Sequence, residues 1–540
     1  MMARFTRREF LRHTAVAAGA GLAATYAAGV REAGAAASVP NADTLFYGVY
    51  WEPVNLDPHA ITDWGSMWML DNIYEPLLRY QTKQVNGQTV GTADVGPHLA
   101  RDFNASKDGK TYTFRLRQGV KFHSGDPLTA DAVKYSINRM LTVNLGPASL
   151  ISKFMDQKST TVVDPQTVRV ALTRPCPFFL KLLAATNTGA IVNPKTVEAH
   201  GGTQPGKFNE WMSRNTDGTG PFKWGTWTAG QEFDLVANDQ YWAGTPKLRR
   251  VAFRVISDFA TQFLLLKRGE LDIVYRLPPD MTTQLIGNPD IVISRDSGIG
   301  MHQIYMQNRM KPFDDVRVRR AMVYAVDPFA INRAAAFGLA TVARSMLPSG
   351  LEGFTPSLWP YKHDPEKAKA LLSEAGYAKG FATTIAFNAG NTEREQTAVL
   401  AQASLRNVGI DAKVEGIPWG TFVTNYQDGK MPLFVLSGLE LPIVDNYVNN
   451  IFYSKSAGAK GNFAFYSNPQ ADRLIDRLLA TVDPQARKQT VTELQRVLNA
   501  DVPSVPIYDS LLMYAHRGWV KGWVLYPSGN WYFFPVEKRA

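Results

Sequence analysis

The stretch DGKTYTFRLRQGVKFHSGDPLTADAV, residues 108–133, decides the fold of this chain. Apolar and polar residues alternate over 111–117, which predicts a β-strand with one apolar face. Gly125-Asp126-Pro127 predicts a turn, and Thr129 predicts the N-cap of a helix. A strand, a turn and a helix are therefore expected in close succession.

Strands and helices also alternate outward from this stretch. A short apolar segment predicts a strand over 44–51, and helical spacing predicts a helix over 67–78. In the second half, Asp364-Pro365 and Asp483-Pro484 each predict a helix start, because aspartate caps a helix and proline suits its first turn. The order predicts an α/β protein whose second half is the more regular.

Length and composition limit the possible classes of protein. With 540 residues, the chain exceeds the size of one hydrophobic core, so several domains are expected. Hydrophobic residues make up 45% and charged residues 20%, which is typical of a globular protein. The net charge of +10 does not by itself indicate nucleic acid, and without Lys/Arg runs or zinc-finger spacing no nucleic-acid partner is expected.

The N-terminus has the features of an export leader. Thr6-Arg7-Arg8-Glu9-Phe10-Leu11-Arg12 matches the twin-arginine pattern at every position, and an Ala/Gly-rich run follows over 14–30. Ala35-Ala36-Ala37 predicts cleavage near Ala37. We therefore expect a signal peptide over 1–37, recognition by the twin-arginine export machinery and a periplasmic mature protein. An uncleaved membrane anchor is the alternative.

Motifs of catalysis and metal binding are missing from the sequence. It has no G-x-S-x-G elbow, no H-E-x-x-H pair and no G-x-G-x-x-G opening a helix. The eight histidines are widely separated, and the single cysteine, Cys176, is predicted to be a buried thiol. No cofactor, metal site or enzymatic activity is expected, although catalytic groups can also assemble from distant residues.

Further motifs connect the chain to a known family. Together with residues 108–133, they are YEPLL at 74–78, GTGPF at 218–222, YWAGTP at 241–246, GELD at 269–272, FDDVRVRRA at 313–321 and YSNP at 466–469. In these stretches the chain resembles the bacterial extracellular solute-binding proteins of family 5, which include dipeptide-, oligopeptide- and nickel-binding receptors of ABC transporters. The motifs occur in the expected order along essentially the whole chain after the leader.

The resemblance implies an architecture. It is the two-lobed periplasmic-binding-protein fold, class II, of the large three-subdomain type, with a ligand cleft between the lobes. The implied bounds are 38–85, 215–305 and 508–540 for the core of lobe I, 86–214 for its inserted subdomain, and 306–507 for lobe II. Hinge crossings are expected at 304–308 and 505–508, and ligand binding is expected to close the lobes.

The resemblance also implies candidate ligand contacts near the start of the first helix. Related receptors use the region around 62–68 to face the cleft. Trp64, Ser66, Met67 and Trp68 are therefore candidates, with core packing as the alternative.

The second wall is expected to carry the charged contacts. Peptide-binding members have an Asp in a Trp-x-x-Asp pattern that pairs with the ligand's ammonium group. Here Ser437 replaces the Trp and Glu440 stands at the place of the Asp, with Asp445 further along the same run. Arg394 is a candidate for a ligand carboxylate, since a guanidinium suits a bidentate contact. Trp419 is a candidate stacking surface. Solvated charges and core packing are the alternatives.

Together with these residues, the resemblance implies a binding protein that captures a peptide-like solute as a monomer and passes it to an ABC permease at the inner membrane. A receptor for a metal chelate or an opine-like conjugate is an alternative. For the nickel type, however, matching arginines are missing around 183–194. A periplasmic hydrolase and a chaperone-like holder of unfolded chains are the alternatives of other classes.

Overall fold

The computed structural model describes residues 39–61, 63–85, 88–295, 299–438, 442–459, 461–509, 513–526 and 529–540. The leader predicted over 1–37 therefore lies outside the described residues. The chain divides into two compact units. Unit 1 holds the described residues of 1–174, 179–296 and 512–540, and unit 2 those of 175–178 and 297–511. The three-subdomain bounds and the hinge stay predictions.

The described strands are, in chain order, β1 Thr44–Val49, β2 Leu78–Val85, β3 Gln88–Pro97, β4 Ala100–Ala105, β5 Thr111–Leu116, β6 Thr160–Asp164, β7 Thr167–Ala171, β8 Phe222–Thr228, β9 Glu232–Ala237, β10 Arg250–Val255, β11 Ile273–Tyr275, β12 Ile291–Arg295, β13 Met301–Met306, β14 Phe381–Asn388, β15 Ile410–Ile417, β16 Leu433–Ser437, β17 Ser504–Asp509, β18 Met513–Arg517, β19 Val520–Lys521 and β20 Glu537–Lys538.

The described α-helices are α1 Trp64–Leu70, α2 Ala130–Val143, α3 Ala148–Ile151, α4 Phe179–Ala184, α5 Thr186–Gly189, α6 Pro194–Ala199, α7 Phe259–Arg268, α8 Pro279–Leu285, α9 Val316–Ala325, α10 Pro328–Ala335, α11 Pro365–Glu374, α12 Thr392–Arg406, α13 Trp419–Gln427, α14 Val444–Ile451, α15 Pro469–Ala480 and α16 Pro484–Asp501. Short 3-10 turns cover Pro356–Leu358 and Ser454–Ser456. None of these helices is long and apolar enough to cross a membrane.

Unit 1 is built on a seven-stranded sheet with the order β12-β18-β11-β1-β10-β9-β8. Its central strand β1 runs parallel to both β10 and β11. Aromatic side chains fill the core beside it. The buried ring of Tyr47, for example, lies 4.6 Å from that of Trp531 and 5.5 Å from that of Phe253. The carboxyl ends of β1, β10 and β11 meet at one edge of this sheet.

The stretch at 108–133 folds as its pattern predicts, in a smaller sheet of unit 1 with the order β4-β5-β7-β6. Burial alternates along β5, with Tyr112, Phe114 and Leu116 inside. Thr129 is the N-cap of α2, and its side chain accepts a hydrogen bond from the backbone N–H of Ala132. The strand and the helix start are therefore confirmed.

Unit 2 contains a five-stranded sheet with the order β15-β14-β16-β13-β17. β14 is parallel to both β15 and β16, whereas β13 is antiparallel to β16 and β17. The chain runs from β14 through α12 to β15 on one side, and then through α13 to β16 on the other side of β14. The predicted α/β class is confirmed, and this reversal marks a position where α/β folds bind ligands.

The helix expected over 67–78 is wrong in its bounds. Asp63 caps α1, which ends at Leu70, and β2 begins at Leu78. Beyond Leu70, the carbonyls of Asn72 and Ile73 accept hydrogen bonds from Phe222 and Gly220. A Cβ at Gly220 would lie 2.2 Å from the Asn72 carbonyl, so only glycine permits this approach. Tertiary contact therefore ends the helical pattern.

Candidate ligand-binding site

The candidate site lies at the carboxyl edge of the sheet in unit 2. β14 ends at Asn388 and β16 at Ser437, so the chain leaves the sheet at adjacent points. Asn391 then caps α12, with its side-chain oxygen 2.9 Å from the backbone nitrogen of Arg394. Because parallel strands end at the same edge, side chains following β14 and β16 are brought together there.

Arg394 is held at this edge by neutral oxygen atoms. Its Nη1 donates to Oδ1 of Asn388 at 2.6 Å, and its Nη2 lies 3.4 Å from the carbonyl oxygen of Ser437. The buried Nε has no hydrogen-bond partner among the described residues. Burial lowers the pKa of Arg394, with the neighbouring Glu393 opposing this shift. The guanidinium is thus a positioned cation with hydrogen-bonding capacity left over, which suits a carboxylate.

Glu393 supplies a negative charge beside this cation. Its Oε1 accepts a hydrogen bond of 2.7 Å from the hydroxyl of Tyr508, a residue of β17. Burial, followed by the charge of Glu393, raises the pKa of Tyr508, so this hydroxyl stays protonated and donates. The Glu393 side chain is 38% exposed, and among the described residues Oε2 accepts no hydrogen bond. The free oxygen is available to a cation from solution.

His302 links the strands beneath this charged pair. Its Nδ1 lies 2.6 Å from Oγ of Ser437, and its Nε2 lies 2.8 Å from Oγ1 of Thr397. Its ring stacks on Tyr508 with centroids 4.5 Å apart. Burial lowers the pKa of His302 to about 4, and Arg394 acts in the same direction. A neutral imidazole therefore orders the residues that hold both charges.

Trp419 is the exposed aromatic group near the site. It is the first residue of α13, directly after β15, and 54% of it is exposed. Its ring centroid lies 6.0 Å from Cζ of Arg394, at the outer limit of a cation–π contact. The sequence prediction for Trp419 and Arg394 is thus compatible with where the two residues lie, although their roles stay predictions.

The carboxyl edge of the sheet in unit 1 carries residues that the sequence analysis missed. Tyr50, which is 41% exposed and follows β1, stacks on Tyr275 at the end of β11 with centroids 5.9 Å apart. The next residue, Arg276, is exposed and has a φ of 52°. Left-handed backbone at a non-glycine residue is strained and concentrates at functional sites. The one signal available in the sequence was an arginine directly after the short apolar run of residues 273–275.

Three of the four candidates in α1, Ser66, Met67 and Trp68, are buried in unit 1. Oγ of Ser66 accepts a hydrogen bond from the backbone of Val54, Met67 is buried, and Trp68 is 2% exposed. The Trp68 ring lies 5.5 Å from those of Tyr275 and Trp531. Trp64 is the first residue of the helix. The described contacts of Ser66 and Trp68 are a backbone hydrogen bond and ring packing inside unit 1, so their ligand-binding role stays a prediction without support from geometry.

Two acidic candidates from the sequence remain, Glu440 and Asp445, and the structure describes only the second. Glu440 lies outside the described residues. Asp445 is 1% exposed and forms a bidentate ion pair with Arg487, with distances of 3.0 and 2.5 Å. Burial raises the pKa of Asp445, and Arg487 opposes this shift. Since Arg487 already occupies both oxygens, we assign this carboxylate a structural role inside unit 2 in place of the predicted ligand contact.

The sheet of unit 2 has the arrangement at which α/β folds bind ligands. Its parallel strands end at a topological switch point, and a pair of opposite charges lies there. The profile of the bacterial extracellular solute-binding proteins, family 5 middle, matches residues 94–460. The chain belongs to this family, which confirms the resemblance found in its sequence.

Relatives extend over nearly the whole chain. The probable D,D-dipeptide-binding periplasmic protein DdpA of Escherichia coli K12 is 30% identical over 494 residues, covering 91% of this chain and 93% of that protein. The glutathione-binding protein GsiB of Salmonella typhi is 28% identical over 495 residues, covering 90% and 92%. The solved structure of HbpA2 from Haemophilus parasuis has a TM-score of 0.81 at 26% identity, covering 92% of this chain and all of that chain.

The buried imidazole of His302 predicts a pH dependence of stability. Its pKa is lowered from 6.5 to about 4, so between these values the unfolded chain binds a proton that the folded chain does not. This contribution to the free energy of unfolding is complete above pH 6.5 and is lost as the pH falls towards 4. Its size is about 3 kcal/mol.

Urea unfolding between pH 7.5 and 4.5 measures the effect, with His302→Asn as the comparison. The variant should lose less stability on acidification than the wild-type protein. In parallel, the imidazole nitrogen signals of His302 should stay those of a neutral ring at pH 5.5, while the urea-unfolded protein titrates near 6.5. Protonation of His302 above pH 6 in the folded protein would contradict this account.

Proposed function

We propose that this protein captures a peptide-like solute that carries both an ammonium group and a carboxylate. Arg394 binds the carboxylate, and Glu393 binds the ammonium group. The observation behind this proposal is the pair of adjacent, opposite charges at the carboxyl edge of unit 2, each with hydrogen-bonding capacity left over among the described residues. The names of the dipeptide- and glutathione-binding relatives support the same class of solute.

The assignment to Glu393 differs from the sequence prediction, which gave the cation contact to Glu440. The position of Glu393 supports this assignment, because Tyr508 holds one carboxylate oxygen at the edge of the sheet and leaves the other without a described partner. Glu393 also lies in the first turn of α12, where the N-terminus of a helix interacts favourably with an acidic side chain.

Titration calorimetry with dipeptides separates these contacts. The probes are L-Ala-L-Ala and D-Ala-D-Ala, each also as the N-acetyl and C-amide derivative. Arg394→Gln should weaken binding of the free dipeptide about 30-fold or more, since removing one partner of a partly buried charge pair costs about 2 kcal/mol or more. Amidation should weaken binding to the wild-type protein by a similar factor, and the variant should no longer distinguish acid from amide.

Glu393→Gln should act in the same way on the ammonium end, and should remove the preference for a free over an acetylated N-terminus. Matched controls lie on the same helix, where Glu395 and Arg406 are exposed, so Glu395→Gln and Arg406→Gln should bind as the wild-type protein does. If Glu440→Gln removes the preference and Glu393→Gln leaves it intact, the ammonium contact belongs to Glu440. If no dipeptide binds and an opine or a nickel chelate does, the peptide proposal is wrong.

The proposed cellular role follows from the family. The mature protein acts in the periplasm as a monomer, and it releases its solute unchanged to an ABC permease at the inner membrane. It catalyses no reaction, so mass spectrometry of the calorimetry mixtures should recover the dipeptides intact. A hydrolysed dipeptide would instead favour the periplasmic hydrolase.

Export by the twin-arginine pathway can be tested separately. Arg7→Lys together with Arg8→Lys should leave the full-length precursor in the cytoplasm of a bacterium with a functional pathway, because the paired arginines are the recognised feature. Arg12→Lys is the matched control, since lysine is compatible with the pattern there. Fractionation and immunoblotting measure the result, and processed periplasmic protein from the double variant would exclude this route.

A further inference from the structure

Unit 2 carries a concave region that shares no residue with the Glu393–Arg394 pair. An open cavity of about 520 Å³ lies where α9 and α10 meet β17. Its walls include Val326 and Phe329 from the helical side, Val342 from the preceding loop, and Val505 from the strand. This volume falls within the range of small-molecule pockets, about 300–1,000 Å³.

The strand side of the cavity is fixed by backbone hydrogen bonds. In the described sheet β17 pairs with β13 on one side only, and the segment 341–343 covers its other side. Ala343 donates to the carbonyl of Ile507, and Asp509 donates to that of Thr341. The strand edge and this segment are therefore paired, so the wall that carries Val342 and Val505 is preformed.

Aromatic side chains form the opposite wall. The rings of Trp359 and Tyr361 meet edge to face with centroids 4.8 Å apart, and Tyr361 meets Tyr324 at 5.1 Å. Burial raises the pKa of Tyr361 to about 12, so this side chain is neutral at physiological pH. Phe329, 50% exposed, adds a ring at the mouth. These groups offer a flat, apolar surface on which an aromatic ring can stack.

The charge around the mouth is positive. Arg344 and Lys362 line it and are exposed, and neither forms an ion pair within the described part of the chain. The only acidic residue in the lining is Asp327, and its Oδ1 accepts the backbone N–H groups of Phe329 and Ala330 as a helix cap. Cations gathered at an apolar cavity attract an anion.

We infer that this cavity is a second binding site, for a small aromatic carboxylate. The ring stacks against Trp359 and the valine side chains, while the carboxylate lies at the mouth against Arg344 and Lys362. An apolar body with an anionic head matches both properties of the cavity, its aromatic lining and its unpaired positive charge. The inference concerns a site apart from the proposed peptide contacts and does not depend on them.

Indole-3-acetate is the probe, followed by ligand-observed NMR and by titration with the full mature chain. Binding is expected with a Kd of about 1 mM or lower, as suits a ligand of this size. Arg344→Gln combined with Lys362→Gln should weaken it about tenfold, because two exposed charge contacts are removed. Both side chains are exposed, so the double variant should fold as the wild-type protein does. Indole-3-acetamide, which lacks the charge, should bind about tenfold more weakly to the wild-type protein.

Arg394→Gln is the control that separates the two sites, and it should leave the affinity for indole-3-acetate unchanged. Loss of binding in Arg394→Gln, or unchanged binding in the Arg344/Lys362 double variant, would overturn the inference. Absence of binding up to 10 mM, about tenfold above the expected Kd, would overturn it as well. So would binding of an acidic peptide such as hexaglutamate in place of indole-3-acetate, since the surface would then recognise a protein segment. A negative result with indole-3-acetate would not change the interpretation of the dipeptide titrations, because the cavity shares no residue with the Glu393–Arg394 pair.

Discussion

The parallel pairing of β14 with β15 and β16 is the constraint on which the candidate site of unit 2 depends. It makes these strands end together at the point where the chain reverses its direction around β14, and α/β folds bind ligands at such points. His302 then ties the end of β16 to α12 through two hydroxyl groups and stacks on Tyr508 of β17. Arg394 and Glu393 owe their positions to this buried, neutral connection.

The hydrogen-bonded network of His302 both stabilises unit 2 and positions the charged residues Glu393 and Arg394. A buried imidazole with both nitrogens hydrogen-bonded fixes its neighbours strongly, because each broken bond would leave a polar atom without water. The same burial depresses the pKa of His302, so the network keeps one protonation state across the ordinary pH range. The charges above it are accordingly held by neutral partners, the amide of Asn388 and the hydroxyl of Tyr508, and stay available to a solute.

Local patterns were enough to predict much of the fold. Thr129, Asp364 and Asp483 cap the helices that their positions predict, because capping is a local interaction between a side chain and the following turn. The helix expected over 67–78 failed for the opposite reason, since its end is set by Gly220, which is distant in sequence. The family motifs supplied the architecture that no local pattern contains.

The site was less predictable. Arg394 was predicted through the resemblance and Trp419 as an aromatic group before a probable helix. Glu393, which we propose as the ammonium contact, was not predicted, because an acidic residue in the first turn of a helix ordinarily stabilises the helix itself. The residue that holds its carboxylate, Tyr508, lies in β17, 115 residues further along the chain. Asp445 was a further acidic candidate in the sequence, and only the fold places Arg487 against it. Tyr50, Arg276 and the aromatic cavity likewise depend on tertiary contacts.

Native mass spectrometry of the mature protein, purified gently from the periplasm, tests the central claim most directly. The account predicts an adduct that disappears on unfolding, has the mass of a peptide or a similar amino acid conjugate, and is missing from Arg394→Gln prepared in the same way. A metal chelate in place of such a solute, or an adduct that the Arg394→Gln protein retains, would contradict it.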